Sequence, residues 1–261
     1  MSNNTFFGAN EGDWSKDLPQ PPTPVPGTYN LFLPRTLTLL AAKPGSGKST
    51  MLAHIAVNVA AHGGIVAWGY GEARDESINN IKRESVINGI NIDKKIVLIP
   101  DDHNALQQVL DMPLRYGLED CSLLIIDSFS SCFSINDESG NAEISKVLKK
   151  LTQTKKIDPA PCIILVHHTK KSHRKNDYSI DNVSGADSFN RFADEVYIGN
   201  KSDNGFTIQR SKSRIYGRND ESRLSFAMIN SVLKPSSYRQ PQPEPILTDT
   251  QTVLKTNGAH P

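Results

Sequence analysis

Ala42-Lys43-Pro44-Gly45-Ser46-Gly47-Lys48-Ser49 follows the apolar run Leu37-Thr38-Leu39-Leu40-Ala41 and precedes Leu52, Ile55, Ala56 and Val59 at helical spacing. A glycine-rich turn between a buried strand and a helix is what a phosphate-binding loop requires. Gly45 and Gly47 allow the backbone to curl with its N–H groups turned inward, and the helix start adds partial positive charge. Lys48 supplies a point charge for β- and γ-phosphates, and the Ser49 hydroxyl suits Mg²⁺. The whole stretch Ala42, Lys43, Pro44, Gly45, Ser46, Gly47, Lys48, Ser49 and Thr50 is therefore expected to hold a nucleotide, ATP with Mg²⁺. Ala42 stands where the first glycine of this pattern usually is.

Outward from the loop, short apolar runs alternate with helical patterns. Ile65–Tyr70, Ile96–Ile99, Leu123–Ile126 and Cys162–Val166 read as strands, the later two apolar throughout, as strands covered on both faces must be. Helices are expected from about Asp75 to Ile87, from Ala105 to Leu114, and along the Ile144, Val147, Leu148, Leu151 stripe. Beyond residue 194 the pattern changes to successive strands, Glu195–Gly199, Phe206–Ser211 and Leu224–Ile229, with turns at Asp203-Asn204-Gly205 and Arg218-Asn219-Asp220. This predicts an α/β fold, a mainly parallel sheet flanked by helices and finished by an antiparallel C-terminal edge.

The 261 residues allow one full α/β domain. Residues 1–27, polar and proline-rich, read as an extended lead-in; 28–235 as the ATPase domain; 236–261 as a disordered tail. Cys121, Cys132 and Cys162 have no short-range pairing, which suggests neither a disulfide framework nor a zinc site and fits a cytoplasmic protein. No secretory leader and no membrane-length apolar run is visible. A net charge of +1 neither favours nor excludes nucleic acid, so any polyanion partner must be recognised by local patches.

A phosphate cradle needs a second anchor for its metal. Asp127 ends the Leu123–Ile126 strand at the carboxyl edge of the sheet, the Walker B position, where a carboxylate holds Mg²⁺ through water. Hydrolysis also needs a group that activates water. Ser128, not a second carboxylate, follows Asp127, so the base is sought elsewhere. Glu72, just past the Ile65–Tyr70 strand, is favoured over Asp75 and Glu76, whose position at a helix start is explained by the helix dipole.

Taken together, the P-loop strand, the strand leading to Glu72, Ile125-Ile126-Asp127-Ser128 and the strand ending His167-His168 resemble the RecA-like ATPases. Within them the chain is most similar to the single-domain hexameric helicases of the plasmid replication protein RepA type, relatives of the DnaB helicase core, over about residues 28–230. The resemblance implies that Glu72 is the catalytic glutamate and that His168 senses the γ-phosphate. It also implies that the loop after His168 faces a central channel and grips single-stranded DNA. That loop holds Lys170, Lys171, Arg174 and Lys175, the densest basic cluster in the chain, with Tyr178 available for base stacking. Lys212 and Arg214 match a Lys-x-Arg pair that enters the neighbouring subunit's ATP site, although Arg210 and Arg218 compete with Arg214 for that role.

The expected function is thus a homo-hexameric helicase or translocase moving on single-stranded DNA in replication of a plasmid or other mobile element. A replication initiator or primase is a possible partner, and no membrane is involved. A filament-forming recombination ATPase is the alternative, and a nucleotide-dependent regulatory switch without DNA activity is a third. No acceptor-substrate motif speaks for a small-molecule kinase.

Overall fold

The computed structural model describes residues 22–71, 74–99, 120–135, 141–154, 160–170, 177–216, 222–229 and 232–239. These form a nine-stranded sheet with spatial order β3-β2-β4-β5-β1-β6-β7-β8-β9. Its strands are β1 (Leu37–Ala42), β2 (Ile65–Tyr70), β3 (Ile96–Ile99), β4 (Cys121–Asp127), β5 (Cys162–His168), β6 (Glu195–Ser202), β7 (Gly205–Ser213), β8 (Arg223–Ile229) and β9 (Val232–Arg239). Strands β1 to β6 run parallel where they pair, and β6 to β9 form an antiparallel meander. The expected mainly parallel sheet with an antiparallel edge is the one observed.

Side-chain alternation along β1 divides the core into two layers. Leu40 and Ala42 face a cluster containing Leu52, Ile55 and Val59 of helix α1 (Lys48–Ala61) and Ile81 of α2 (Arg74–Asn88). Leu37, Leu39 and Ala41 face the opposite cluster. There they meet Phe129 of α3 (Phe129–Cys132), Ile144, Leu148 and Leu151 of α4 (Asn141–Thr154) and Phe189 of α5 (Ala186–Phe192). All six residues of β1 are buried, which places the loop that follows at the centre of the sheet's carboxyl edge.

Helix α1 is buried on more than one side, and this moves both expected domain boundaries. On the N-terminal side, Val25 belongs to the α1 core cluster, and Asn58 Nδ2 donates to Gly27 O at 2.7 Å. Gly27 has φ 85°, and a Cβ there would stand 2.8 Å from the Asn58 backbone, so this close approach needs glycine. Val25 and Gly27 are thus packed onto the domain, so the end of the expected lead-in is anchored to it. On the C-terminal side, β9 continues to Arg239, past the boundary set at 235. Pro235, which lowers the expectation of a strand, is accommodated because β9 pairs only with β8 in the described sheet.

The predicted helix Ala105–Leu114, the Arg218-Asn219-Asp220 turn and most of both termini lie outside the described residues. No helix among the described residues is long and apolar enough to cross a membrane.

Candidate active site

The loop leaving β1 turns through Gly45 (φ 66°) and Gly47 (φ 107°), both in the left-handed region that favours glycine. Gly47 is the N-cap of α1 and offers no side chain to its first N–H groups, and the first helical turn carries no acidic residue. An anion is therefore the natural partner for these amides. Ser46 Oγ in the same loop is buried and without a hydrogen-bond partner among the described residues. Lys48, only 6% exposed, turns its ammonium back onto the loop, where it donates to Ala42 O at 3.2 Å and Lys43 O at 3.1 Å. Ser49 and Thr50 are partly exposed in the first turn. A hydroxyl and a carboxylate, Ser49 and Asp127, are hard oxygen donors of the kind Mg²⁺ takes.

Beside the loop is a cavity of 590 Å³. Gly45, Gly47 and Thr50 form one side, while Asn204 and Phe206 of the β6–β7 hairpin and Met228 of β8 form the other. Phe206 is held there by Gly199, where a Cβ would lie 2.2 Å from the ring's Cζ and 3.1 Å from Ala42 Cβ. Gly199 is in register with Ala42, so the last residue of the phosphate strand also fixes this wall.

Strand order gathers the other sequence candidates. β5 lies between β1 and β4, with His168 in register with Ala42. His168 is half-buried, and its Nδ1 has no partner among the described residues. His167 points into the core, fully buried, with Nε2 3.2 Å from Ser184 O and its ring against Phe129 and Phe189. Asp127 closes β4 at 8% exposure, in register with Tyr70 of β2. The Gly71 N–H donates to Asp127 O at 2.8 Å. A Cβ on Gly71 would come within 2.6 Å of Ser131 and Cys132, so α3 clamps the end of β2 beside Asp127. Glu72 itself lies outside the described residues, as do Lys171, Arg174 and Lys175.

At the base of the basic loop, exposed Lys170 donates from Nζ to Asp181 O at 2.7 Å. One face of Tyr178 is occupied by the Arg223 guanidinium, 4.9 Å from the ring centre. The ring is also half-buried against the core cluster on the α5 side, so it is not a freely exposed stacking platform.

Arg210, Lys212 and Arg214 separate clearly. Arg210 is 4% exposed, lies 2.9 Å from Glu195 Oε2, and donates to the Tyr197 hydroxyl and to Ser222 Oγ. Such a residue cannot leave the core to reach another subunit. Lys212 donates to Asn190 O and Ala193 O at the end of α5. Burial and the charge of Arg214 pull its ammonium down to about 8. The Arg214 side chain is 45% exposed and touches Arg191 O and, at 3.5 Å, Asp194 Oδ1. Arg218 lies outside the described residues.

The sequence reading did not single out Glu195, which is fully buried, with burial pushing its carboxyl up to about 7 against the pull of Arg210. It also missed His54 on α1, whose ring bridges Glu84 Oε2 at 2.9 Å and the Tyr29 hydroxyl at 2.7 Å. In sequence Glu195 is simply the polar start of a strand, and no motif announces either residue.

A family model described as an AAA domain matches residues 9–82, which span the phosphate loop and β2. No curated protein matches the sequence. Solved structures similar to this chain include an ATPase domain at 14% identity and TM-score 0.65, covering 88% of this chain and 95% of that one. A DnaB-like replicative helicase, described with its interactions with primase, matches at 14% identity and TM-score 0.64, over 85% of this chain and 65% of that one. The RadB recombinase matches at 17% identity and TM-score 0.59, over 79% of this chain and 93% of that one. The chain therefore has the RecA-like P-loop NTPase fold that these structures share.

Proposed function

We propose that this chain is the subunit of an ATP-hydrolysing ring, most simply a homo-hexamer, that moves along single-stranded DNA in replication of a plasmid or other mobile element. The observation that carries the reading is the strand order. Inserting β5 between β1 and β4 sets Lys48, His168 and Asp127 along one sheet edge, with the basic loop leaving the same strand as His168.

In this reading the Gly45–Thr50 amides and Lys48 hold the β- and γ-phosphates, and the 590 Å³ cavity against Phe206 takes the nucleoside. Ser49 and, through water, Asp127 hold Mg²⁺, which when bound neutralises developing charge on the phosphates. Glu72 orients the attacking water and accepts its proton. Lys212 and Arg214 enter from the neighbouring subunit and stabilise the transferred phosphoryl. His168 registers the γ-phosphate and passes its loss to residues 169–182, changing the grip of Lys170, Lys171, Arg174 and Lys175 on DNA. A replication initiator or primase would load such a ring.

The RadB similarity favours a second reading, a filament-forming recombination ATPase. Light scattering with ATP and single-stranded DNA, combined with turnover measurements, separates the two. A discrete assembly of about six subunits with DNA-stimulated hydrolysis supports the ring. An open-ended size distribution on DNA supports the filament, and a monomer whose turnover ignores DNA contradicts both.

A further inference from the structure

Lys212 lies near the end of β7 and Arg214 just past it, where the strand is not regular. Val196 pairs with Lys212 and Tyr197 with Arg210, so Ser211 is an extra residue, a β-bulge. Tyr197 belongs to the core layer on the α1 side and Val196 to the layer on the α5 side. The bulge therefore sends Arg210 to one face and Lys212 to the other, which plain alternation of residues 210, 212 and 214 would not do.

What holds the chain beyond the bulge is a buried carboxylate. Glu195 Oε2 lies 2.9 Å from Arg210 Nε, and Glu195 Oε1 accepts the Ser213 hydroxyl at 2.6 Å. Ser213 Oγ in turn accepts the backbone N–H groups of Ile215 at 3.0 Å and Tyr216 at 2.8 Å, closing a turn around Arg214. Arg214 N donates to Asp194 O at 2.9 Å, and the Tyr216 ring lies 4.6 Å beneath the Arg210 guanidinium. The backbone of residue 214 is thus tied to the core from both sides.

The Lys212 ammonium is fixed to Asn190 O and Ala193 O, but the Arg214 head group is held differently. The Arg214 guanidinium donates to Arg191 O and meets Asp194 at 3.5 Å on a surface that leaves the side chain 45% exposed, and exposed pairs of this kind contribute little. A rigid backbone carrying a loosely held cation suits a group that must swing onto a partner's phosphate. A buried ion pair gives little net stability over apolar residues, and its best-attested use is to fix one arrangement.

The geometry points to Glu195 as the positioning residue of the Lys212–Arg214 pair, acting through Ser213 on the 213–216 turn to aim Arg214 at a neighbouring subunit's nucleotide. This rests on the ring reading above, in which Arg214 acts in trans. Glu195 itself touches no substrate.

The full-length protein tests this with three variants. Ser213→Ala cuts the link and leaves the Glu195–Arg210 pair in place; Glu195→Gln keeps the shape and removes the charge; Arg214→Ala removes the cation. Ser213→Ala is expected to lower kcat about ten- to a hundredfold, the cost of misplacing a reacting group by about 1 Å, with KM for ATP unchanged. Mixing Ser213→Ala with Lys48→Ala subunits should recover turnover, because the Lys48→Ala subunit brings an intact turn to its neighbour's site. A subunit merely destabilised by the substitution would not be rescued this way. If Ser213→Ala and Glu195→Gln both turn over at the full rate while Arg214→Ala does not, the positioning role is overturned and the trans cation stands. If mixing rescues Arg214→Ala but not Ser213→Ala, the positioning role is likewise overturned. A full rate in Arg214→Ala overturns the trans reading itself, and the positioning role with it.

Discussion

The parallel and antiparallel halves of the sheet carry chemistry in different ways. In the parallel half, β1, β4 and β5 are apolar runs that stop at the candidate site, so position in the strand and position at the sheet edge coincide. In the antiparallel half the deciding residues lie in β7 and just past its end, and a single bulge settles which of them faces the core. Arg210 and Arg214 are four residues apart, yet one is 4% exposed and salt-bridged while the other's side chain is 45% exposed. A strand end can be read from composition, whereas the face chosen by a side chain depends on register.

The sharpest way to break this comparison is to remove each arginine in turn. Arg214→Ala is expected to leave the melting temperature nearly unchanged and to lower kcat by about 10³-fold or more, the range found for arginine fingers. Arg210→Ala should do its damage to the fold, costing about 3–5 kcal/mol in denaturant unfolding, because Glu195 is left buried without its countercharge. If Arg210→Ala unfolds like the parent, the buried pair is not what organises this edge.

In the parallel half, Lys48→Ala should lower turnover about 10²–10³-fold with weakened nucleotide binding in a fluorescent-nucleotide titration. Glu72→Gln should bind the nucleotide normally and fail to hydrolyse it. Normal turnover in Glu72→Gln would move the base to another residue.

The next effect is in pH. The Glu195 carboxyl is raised from 4.5 to about 7 by burial, opposed by Arg210, Ser213 and Lys212 and reinforced by Asp194. Lys212 is lowered to about 8, by burial first and then by Arg214. Acidifying below about 7 neutralises Glu195, and raising pH above about 8 discharges Lys212. The rate should therefore be bell-shaped between these values, with limbs of at most tenfold per pH unit. Glu195→Gln should remove the acid limb from a lower plateau, and Lys212→Arg should move the alkaline limb upward. Stability has its own sign. The folded carboxyl binds a proton that the unfolded chain releases above 4.5, so this group's contribution declines as pH rises toward 7.

The smallest expected effect joins the two halves at the cavity. Gly199→Ala places a methyl against Phe206 and Ala42, costing about 1–3 kcal/mol by overpacking. It should also raise KM for ATP as the ring is pushed toward the nucleoside site, and an unchanged KM would remove Phe206 from that wall.

The sequence patterns made the fold class and most strand positions legible, because parallel strands buried on both faces must be nearly continuous apolar runs. Of the candidate site, Lys48 is legible from its glycine-rich loop and Asp127 from the end of an apolar strand, whereas His168 is singled out by resemblance. Glu195 could not be read, since a buried glutamate is unusual and its reason, Arg210 on the adjacent strand, is a pairing across the bulge. Val25 and β9 were missed for a related cause. Proline-rich and polar segments read as extended chain, and only the flank of α1 turned away from the sheet, which these segments cover, explains why they pack.

The central claim is that a nucleotide site held by one subunit's Lys48 is completed by the neighbour's Arg214. Mixing full-length Lys48→Ala with Arg214→Ala subunits and following phosphate release across the mixing ratio tests it directly. The account predicts that two nearly inactive proteins give a mixture whose rate rises to a maximum near equal proportions. A rate that stays at the weighted average of the two at every ratio, under conditions where the subunits exchange, would contradict it.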